Sequence, residues 1–209
     1  MELLFVGHEQ LFHLADHLEE GDEATAALRA GLFARAAVRI AGTREPAAEL
    51  LHVHDWPGGS IAVQAARAEL GIPVVLTVHD AARRGRFDAP HAEAAGVSGT
   101  GPVDVLAAGI REAHRVTTVS PSYARELTRP DAGHGLEDAF AARRDEVVGI
   151  LDGVDVSVWN PATDASLAAR FDPTDRSGKE RCKASLQKSL GLPVRADLPL
   201  LGAVGTDAP

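Results

Sequence analysis

Residues 73–79, Pro-Val-Val-Leu-Thr-Val-His, are the stretch of sequence that most clearly decides the fold. The run is continuous and rich in β-branched side chains, which is typical of a strand covered on both faces. Working outward from it, further short apolar runs occur at residues 49–54, 115–119 and 147–151, separated by helix-like segments. This alternation with short connections predicts an α/β fold: a mostly parallel, doubly wound sheet with helices on both faces.

The segments between the strands predict helices with recognisable ends. Gly71 is able to adopt the left-handed conformation that often ends a helix, while Ser120-Pro121 combines an N-cap hydroxyl with proline at the first helical position. The predicted helices cover residues 22–40, 61–70, 103–114, a segment beginning at 121, and a basic segment at 178–190. Glycine-rich residues 81–101 are predicted to be a loop.

Composition excludes several classes of protein. The chain has 209 residues, a formal net charge of −9 and a single cysteine, Cys182. The acidic balance argues against a nucleic-acid partner, and one cysteine rules out a disulfide framework or a cysteine-built zinc site. No apolar run approaches the ~18 residues that span a bilayer, and the amino end lacks the features of a signal peptide. We therefore expect a cytoplasmic protein with no membrane partner.

Both ends of the chain carry apolar runs, at residues 3–6 and 200–205, that predict further strands. The second run is followed by only four residues, so no helix of this chain would cover the strand that it predicts. This pattern indicates a truncated domain.

Polar and ionisable side chains follow four of the predicted strands. In order along the chain these residues are His54, Asp55, Trp56, His79, Asp80, Ser120, Asp152 and Asp155. Ligands of parallel α/β sheets bind outside the carboxyl ends of the strands, so we expect these side chains to converge on one rim. The sequence therefore predicts a binding site there.

Two other kinds of site compete with this interpretation. The spacing of His52 and His54 is one with which metal sites begin, and His79 and His91 are further candidate ligands. A strand places Asp55 on the opposite face, however, and no cysteine or clear carboxylate ligand completes the set, so no metal is predicted. Gly58-Gly59 at a helix start would cradle a phosphate on backbone N–H groups, although the full dinucleotide fingerprint is absent. No serine lies in a Gly-x-Ser-x-Gly nucleophile motif.

Five stretches are specific enough to compare with known families: HVHDW at 52–56, LTVH at 76–79, VTTVSPSYARE at 116–126, ILDGVD at 150–155 and WNPATD at 159–164. Together, and in this order, they resemble the bacterial glycogen synthases and plant starch synthases. The resemblance implies a GT-B glycosyltransferase, which has two Rossmann-like domains. Residues 1–195 would be part of the amino-terminal, acceptor-side domain, and residues 196–209 the crossing into a carboxyl-terminal domain.

The resemblance also implies a reaction and two catalytic residues. Members of this family transfer glucose from ADP-glucose to an α-1,4-glucan with retention of configuration, without a metal or further cofactor. By position, His79 matches the histidine that contacts the donor glucose, and Asp55 the aspartate of the sugar pocket. A neutral imidazole and a carboxylate are suited to bracket sugar hydroxyls and to stabilise an oxocarbenium-like centre. The other strand-end residues are candidate substrate-binding residues: His54, Trp56, Asp80, Ser120, Asp152 and Asp155.

The sequence departs from the family pattern at several positions. Asp80 and Asp152 stand where asparagine is usual, which exchanges an amide donor for an acceptor-only carboxylate. The other departures are Pro57, Arg84 and Ala107. Three hypotheses follow: a partial glucosyltransferase with negligible activity alone, a non-catalytic glucan- or partner-binding remnant, or a split GT-B enzyme. The split enzyme would use another nucleotide sugar and a separate donor-domain chain.

Overall fold

Residues 2–12, 21–129 and 131–203 are described by the computed structural model of the chain. The chain divides into two units, Met1–Asp152 and Gly153–Pro209, and each is described by itself below. The predicted boundary after residue 195 stays a prediction.

The first unit follows the predicted alternation of strands and helices. Its described helices and strands, in chain order, are α1 (Glu23–Thr43), β1 (Leu51–His54), α2 (Asp55–Arg67), β2 (Val74–Val78), β3 (Arg86–Phe87), α3 (Ala89–Ala94), β4 (Val103–Asp104), α4 (Val105–Glu112), β5 (Arg115–Thr118), α5 (Pro121–Glu126), α6 (Glu137–Ala141) and β6 (Val147–Gly149). A 3-10 turn, Arg144–Glu146, precedes β6. The main sheet has the order β1-β2-β5-β6 with every neighbouring pair parallel, which confirms the mostly parallel α/β fold.

One face of this sheet is the core face. Val53 lies opposite Leu76, Leu76 opposite Val116, and Val116 opposite Val147. The first three of these side chains are at most 5% exposed. Because the strand order advances in one direction and parallel crossovers are right-handed, the connecting helices lie on the same side of the sheet. Helix α2 accordingly packs on β1 and β2, and α5 packs on β5 and β6.

The opposite face carries what we call the outer row, which consists of His54, Thr77, Thr117 and Val148 in register across the four strands. These side chains are half-buried or exposed, and Val148 is 50% exposed. The exposure of the outer row differs from the expectation of strands covered on both faces. The helices that connect the described strands all lie on the core face, so none of them covers the outer row. The outer row therefore presents polar groups of β1, β2 and β5 on the outer face.

Glycines allow α2 and α4 to approach each other closely. A Cβ added to Gly109 would lie 2.3 Å from the Cα of Gly59, and one added to Gly59 would lie 2.8 Å from the carbonyl oxygen of Val105. A Cβ on Gly58 would lie 2.9 Å from the carbonyl carbon of Val53. The hypothesis that Gly58-Gly59 cradles a phosphate is therefore wrong, because α2 begins at Asp55 and both glycines are buried within it.

Several predicted elements are confirmed with their local causes. Helix α1 begins after Asp22, whose carboxylate accepts a hydrogen bond from the N–H of Thr25 at 2.8 Å. Helix α5 begins after Ser120, whose Oγ accepts from the N–H of Tyr123 at 2.9 Å. Gly71 has a φ of +68°, in the left-handed region that glycine adopts without strain.

Other predictions differ from the structure. Residues 3–6 form no strand, and Phe5 is 91% exposed. Residues 200–203 also lack regular structure, and the rest of that predicted strand lies outside the described residues. The predicted loop at 81–101 contains β3 and α3, because the carboxylate of Asp88 caps α3 by accepting from the N–H of His91.

The second unit contains the predicted basic helix as α7 (Gly178–Ser189). The Pro- and Asp-rich residues before it form turns in which an aspartate accepts from the N–H two residues further on. The four aspartates are Asp155, Asp164, Asp172 and Asp175. The ammonium group of Lys183 in α7 donates to the carbonyl oxygens of Ala196 and Leu198. None of the helices in the described residues combines the length and the apolar character needed to cross a membrane.

Candidate active site

Asp55 joins the carboxyl ends of β1 and β2. Its Oδ1 accepts from the backbone N–H of His79 at 2.7 Å and from that of Asp80 at 3.3 Å. Asp55 is the first residue of α2, and its φ of +51° lies in the left-handed region, which aspartate tolerates better than most residues. A strained backbone at a strand end is a common property of functional sites. The predicted catalytic pair is thus brought together, with the carboxylate holding the main chain of the histidine.

A second contact joins the side chains of the two strand ends. The Nδ1 of His54 lies 3.0 Å from the Nε2 of His79, and both side chains are exposed. Partial burial lowers the pKa of His54, and the neighbouring His52 and His79 lower it further, whereas Asp55 raises it. His54 therefore favours the neutral form, which a ring nitrogen that accepts a hydrogen bond requires.

The loop after β2 is held from two directions. The carboxylate of Asp80 accepts from the N–H of Ala82 at 2.9 Å. The hydroxyl oxygen of Tyr123 accepts from the N–H of Ala81 at 3.0 Å, and burial raises the pKa of this tyrosine. The Oγ of Ser120 accepts from the N–H of Tyr123, so Ser120 supports this loop through the helix that carries Tyr123, and its role in substrate binding stays a prediction.

Trp56 takes a different place from the one predicted. Only 2% of the residue is exposed, and its ring packs edge-on against Phe87 at a centroid distance of 5.5 Å. A Cβ added to Gly85 would lie 2.5 Å from the indole, so the loop before β3 closes directly over the ring. This buried position does not fit the predicted contact between Trp56 and a substrate, because the packed ring offers almost no surface to a sugar.

The two remaining aspartates lie further along the chain. Asp152 is an exposed residue at the end of the first unit, and β6 before it is held beside β5 by the N–H of Ile150, which donates to the carbonyl oxygen of Thr118. Asp155 belongs to the second unit, where its Oδ1 accepts from the N–H of Ser157 at 2.9 Å. Their roles in substrate binding stay predictions.

Two residues that contribute to the site were not among those predicted. Thr77 lies in the outer row opposite His54, and its Oγ1 is 2.7 Å from the Nε2 of His52. Tyr123 braces the loop after β2 from α5. Side chains alternate between the two faces of a strand, so the sequence could have identified Thr77 as lying on the same sheet face as His54. It could not have identified Tyr123, because the hydrogen bond of that residue joins segments that are distant along the chain.

Two of the positions at which the sequence departs from the family pattern, Arg84 and Ala107, carry mostly buried side chains. Arg84 lies 3.6 Å from the carboxylate of Asp104, with both side chains mostly buried. Ala107 is 7% exposed within α4. In the described ranges, no group of three or more His, Cys, Asp or Glu side chains is arranged to hold a metal ion.

The fold and the site define a parallel α/β protein with a carboxylate and a histidine joined at the ends of adjacent strands. Residues 1–142 match the family model described as the starch synthase catalytic domain. The chain belongs to this family, which confirms the resemblance found in the sequence.

Individual relatives agree with this assignment. The chain is 42% identical over 202 residues to a glycogen synthase of Burkholderia thailandensis, covering 89% of this chain and 38% of the relative. It is 37% identical over 223 residues to a glycogen synthase of an Anaeromyxobacter strain, covering 96% of this chain and 46% of the relative.

A solved structure is also similar. It is the catalytic domain of starch synthase IV from Arabidopsis thaliana, bound to ADP and acarbose, with a TM-score of 0.68 and 30% identity. The match covers 83% of this chain and 38% of that chain. The chain thus spans less than half the length of the relatives that it matches.

Proposed function

We propose that this chain forms the acceptor-side part of a glucosyltransferase of the glycogen and starch synthase type. The enzyme would transfer glucose from ADP-glucose to an α-1,4-glucan, with no metal or further cofactor, in the cytoplasm. The observation that carries this proposal is the junction of Asp55 and His79 at the ends of two parallel strands. The glycogen synthase relatives and the Arabidopsis domain, which holds ADP and acarbose, support it.

Each residue of the junction has a chemical role in this proposal. The Oδ1 of Asp55 fixes the main chain of His79, and the second carboxylate oxygen accepts from a sugar hydroxyl. The imidazole of His79 contacts the transferred glucose beside the bond that breaks between its C1 and the diphosphate. As that bond breaks, ADP departs with the electron pair, and a hydroxyl oxygen of the glucan bonds to C1 and gives up its proton. The positive charge that grows on the sugar during this exchange is stabilised electrostatically by the nearby carboxylate.

The diphosphate leaving group needs its own neutralising charges, which phosphate-transferring sites supply with cations. The resemblance implies that these cations belong to the domain that the relatives have beyond the matched region. We therefore expect the chain alone to elongate glucan negligibly. The donor-side domain would come from the same protein or from a separate chain.

The test supplies the parts that a relative has outside the matched region. The chain would replace its matched region within the full-length Burkholderia thailandensis glycogen synthase, and incorporation of labelled glucose from ADP-glucose into glycogen would be measured for this chimera. We expect incorporation by the chimera and almost none by the chain alone. His79→Ala and Asp55→Ala should each reduce the rate by roughly a hundredfold, the size of effect seen when a transition-state contact is removed.

Asp145→Ala, at an exposed aspartate of the 3-10 turn, is the matched control and should keep the rate of the unsubstituted chimera. A folded chimera that transfers no glucose would contradict the proposed function. Transfer from a different nucleotide sugar, with none from ADP-glucose, would instead favour the split enzyme.

A second candidate is a glucan-binding module without catalysis. Asp80 and Asp152 favour it, because carboxylates there accept hydrogen bonds where an amide would also donate. Titration of the isotope-labelled chain with maltoheptaose, followed by NMR, separates the possibilities. Shifts at His79 and Asp55 together with an inactive chimera would support the binding module, and no shifts would exclude binding there.

A further inference from the structure

Three histidines form a line at the ends of β1 and β2, which we call the histidine line: His52, His54 and His79. The ring centroids of the first two are 4.4 Å apart, and those of the last two are 5.2 Å apart. His52 is anchored by its Nε2, which lies 2.7 Å from the Oγ1 of Thr77. The ring of His54 is therefore held on one side by His52 and on the other by its hydrogen bond to His79.

The hydrogen bond within the histidine line needs one protonated and one unprotonated nitrogen. The atoms are the Nδ1 of His54 and the Nε2 of His79, 3.0 Å apart. The 3.0 Å contact allows either nitrogen to carry the hydrogen. The direction that leaves the Nδ1 of His79 free to accept from a sugar hydroxyl has the Nε2–H of His79 donating to the Nδ1 of His54.

We propose that His54 is a positioning residue for His79: by accepting from Nε2–H it fixes the ring's orientation and tautomer, and leaves Nδ1 for a sugar hydroxyl. The inference rests on the proposed function, in which His79 contacts the transferred glucose. Two consecutive residues, His54 at the end of β1 and Asp55 at the start of α2, then hold different parts of His79. Asp55 holds the main chain of His79 through its N–H, and His54 holds the side chain.

Nitrogen NMR of the histidine rings in the full chain tests the geometric part. In the unsubstituted chain at pH 7.5 we expect His79 to carry its proton on Nε2 in a single tautomer. His54→Phe keeps a ring of similar size but has no acceptor, so the two nitrogens of His79 should shift toward a mixture of tautomers. His54→Asn places an amide oxygen near the position of Nδ1 and should restore the original signals.

His52→Phe is the matched control, because its phenyl ring keeps the packing beside His54 and loses only the hydrogen bond to Thr77, so the bond between His54 and His79 stays in place. It should leave the nitrogen signals of His79 unchanged. The proposal is overturned if His54→Phe leaves them unchanged as well, or if His79 carries its proton on Nδ1 in the unsubstituted chain.

The chimera tests the functional part. Losing the contribution of one neutral hydrogen bond should lower kcat roughly fivefold in His54→Phe, with little change in KM for ADP-glucose, and His54→Asn should recover most of it. An active chimera in which His54→Phe keeps the original kcat would overturn the positioning role while the proposed function stands. A chimera that is inactive without substitutions would refute the proposed function, and the ring signals alone would then decide whether His54 fixes His79.

Discussion

At the scale of single residues, Asp55 combines an unusual backbone conformation with two hydrogen bonds to the neighbouring strand end. Its φ of +51° is costly for a residue with an ordinary side chain, and its carboxylate accepts from the N–H groups of His79 and Asp80. The left-handed backbone and the two hydrogen bonds occur in the same residue, because Asp55 begins α2 while its carboxylate contacts the end of β2.

Asp55→Ala should therefore lower the free energy of unfolding by about 2 kcal/mol, through the left-handed backbone and the lost hydrogen bonds. Asp55→Asn tolerates the conformation and keeps an acceptor oxygen, so it should cost less than half as much. Urea denaturation of the three chains measures the difference. Equal stability of the alanine and asparagine variants would show that neither the backbone nor the acceptor matters.

The lowered pKa of His54 has a consequence for stability against pH. The unfolded chain, with an ordinary histidine pKa of about 6.5, binds more protons than the folded one just below that value. Stability should then fall as the pH drops from about 6.5 through the lower folded pKa of His54. Urea midpoints between pH 8 and pH 5 should fall less for His54→Asn than for the unsubstituted chain, and parallel curves would refute this account.

At the scale of helices and strands, the sequence predicts well what depends on local chemistry. The caps at Asp22 and Ser120 and the β-branched run of β2 are visible in the sequence, and the strand-end rule identifies Asp55 and His79. The burial of Trp56 under the loop before β3, and the bracing by Tyr123, depend on contacts between distant segments. The same is true of the crossing of α2 and α4 at Gly59, a residue for which the sequence offered phosphate binding as one alternative.

Gly109→Ala tests that crossing. The new Cβ would lie 2.3 Å from the Cα of Gly59, so the helices must separate, at a cost of about 1–3 kcal/mol that exceeds the gain in helix propensity. Gly7→Ala, which meets nothing within 4 Å, is the control and should change stability little. Thermal unfolding followed by circular dichroism compares them, and a Gly109→Ala chain as stable as the control would contradict the close approach.

At the scale of the whole molecule, the chain exposes large apolar side chains in both of its units. Phe5 and Leu201 are each 91% exposed, and Ile150, Leu151 and Trp159 are each more than half exposed. Large apolar patches on a protein surface favour association. We expect the purified chain to self-associate with increasing concentration, as measured by light scattering, and to do so less in the chimera. A monodisperse monomer at high concentration would contradict this.

The strand order of the main sheet determines beside which edge strand a ligand crevice would form. In open α/β sheets the crevice forms where the strand order reverses direction, so that the loops on either side diverge. Among the described strands the order β1-β2-β5-β6 contains no reversal, and β1 is an edge strand. A strand paired to the free edge of β1 would supply the reversal immediately beside His54 and Asp55. Among the described residues, the free edge of β1 is therefore the place where another strand would turn this rim of hydrogen-bonded side chains into an enclosed ligand crevice.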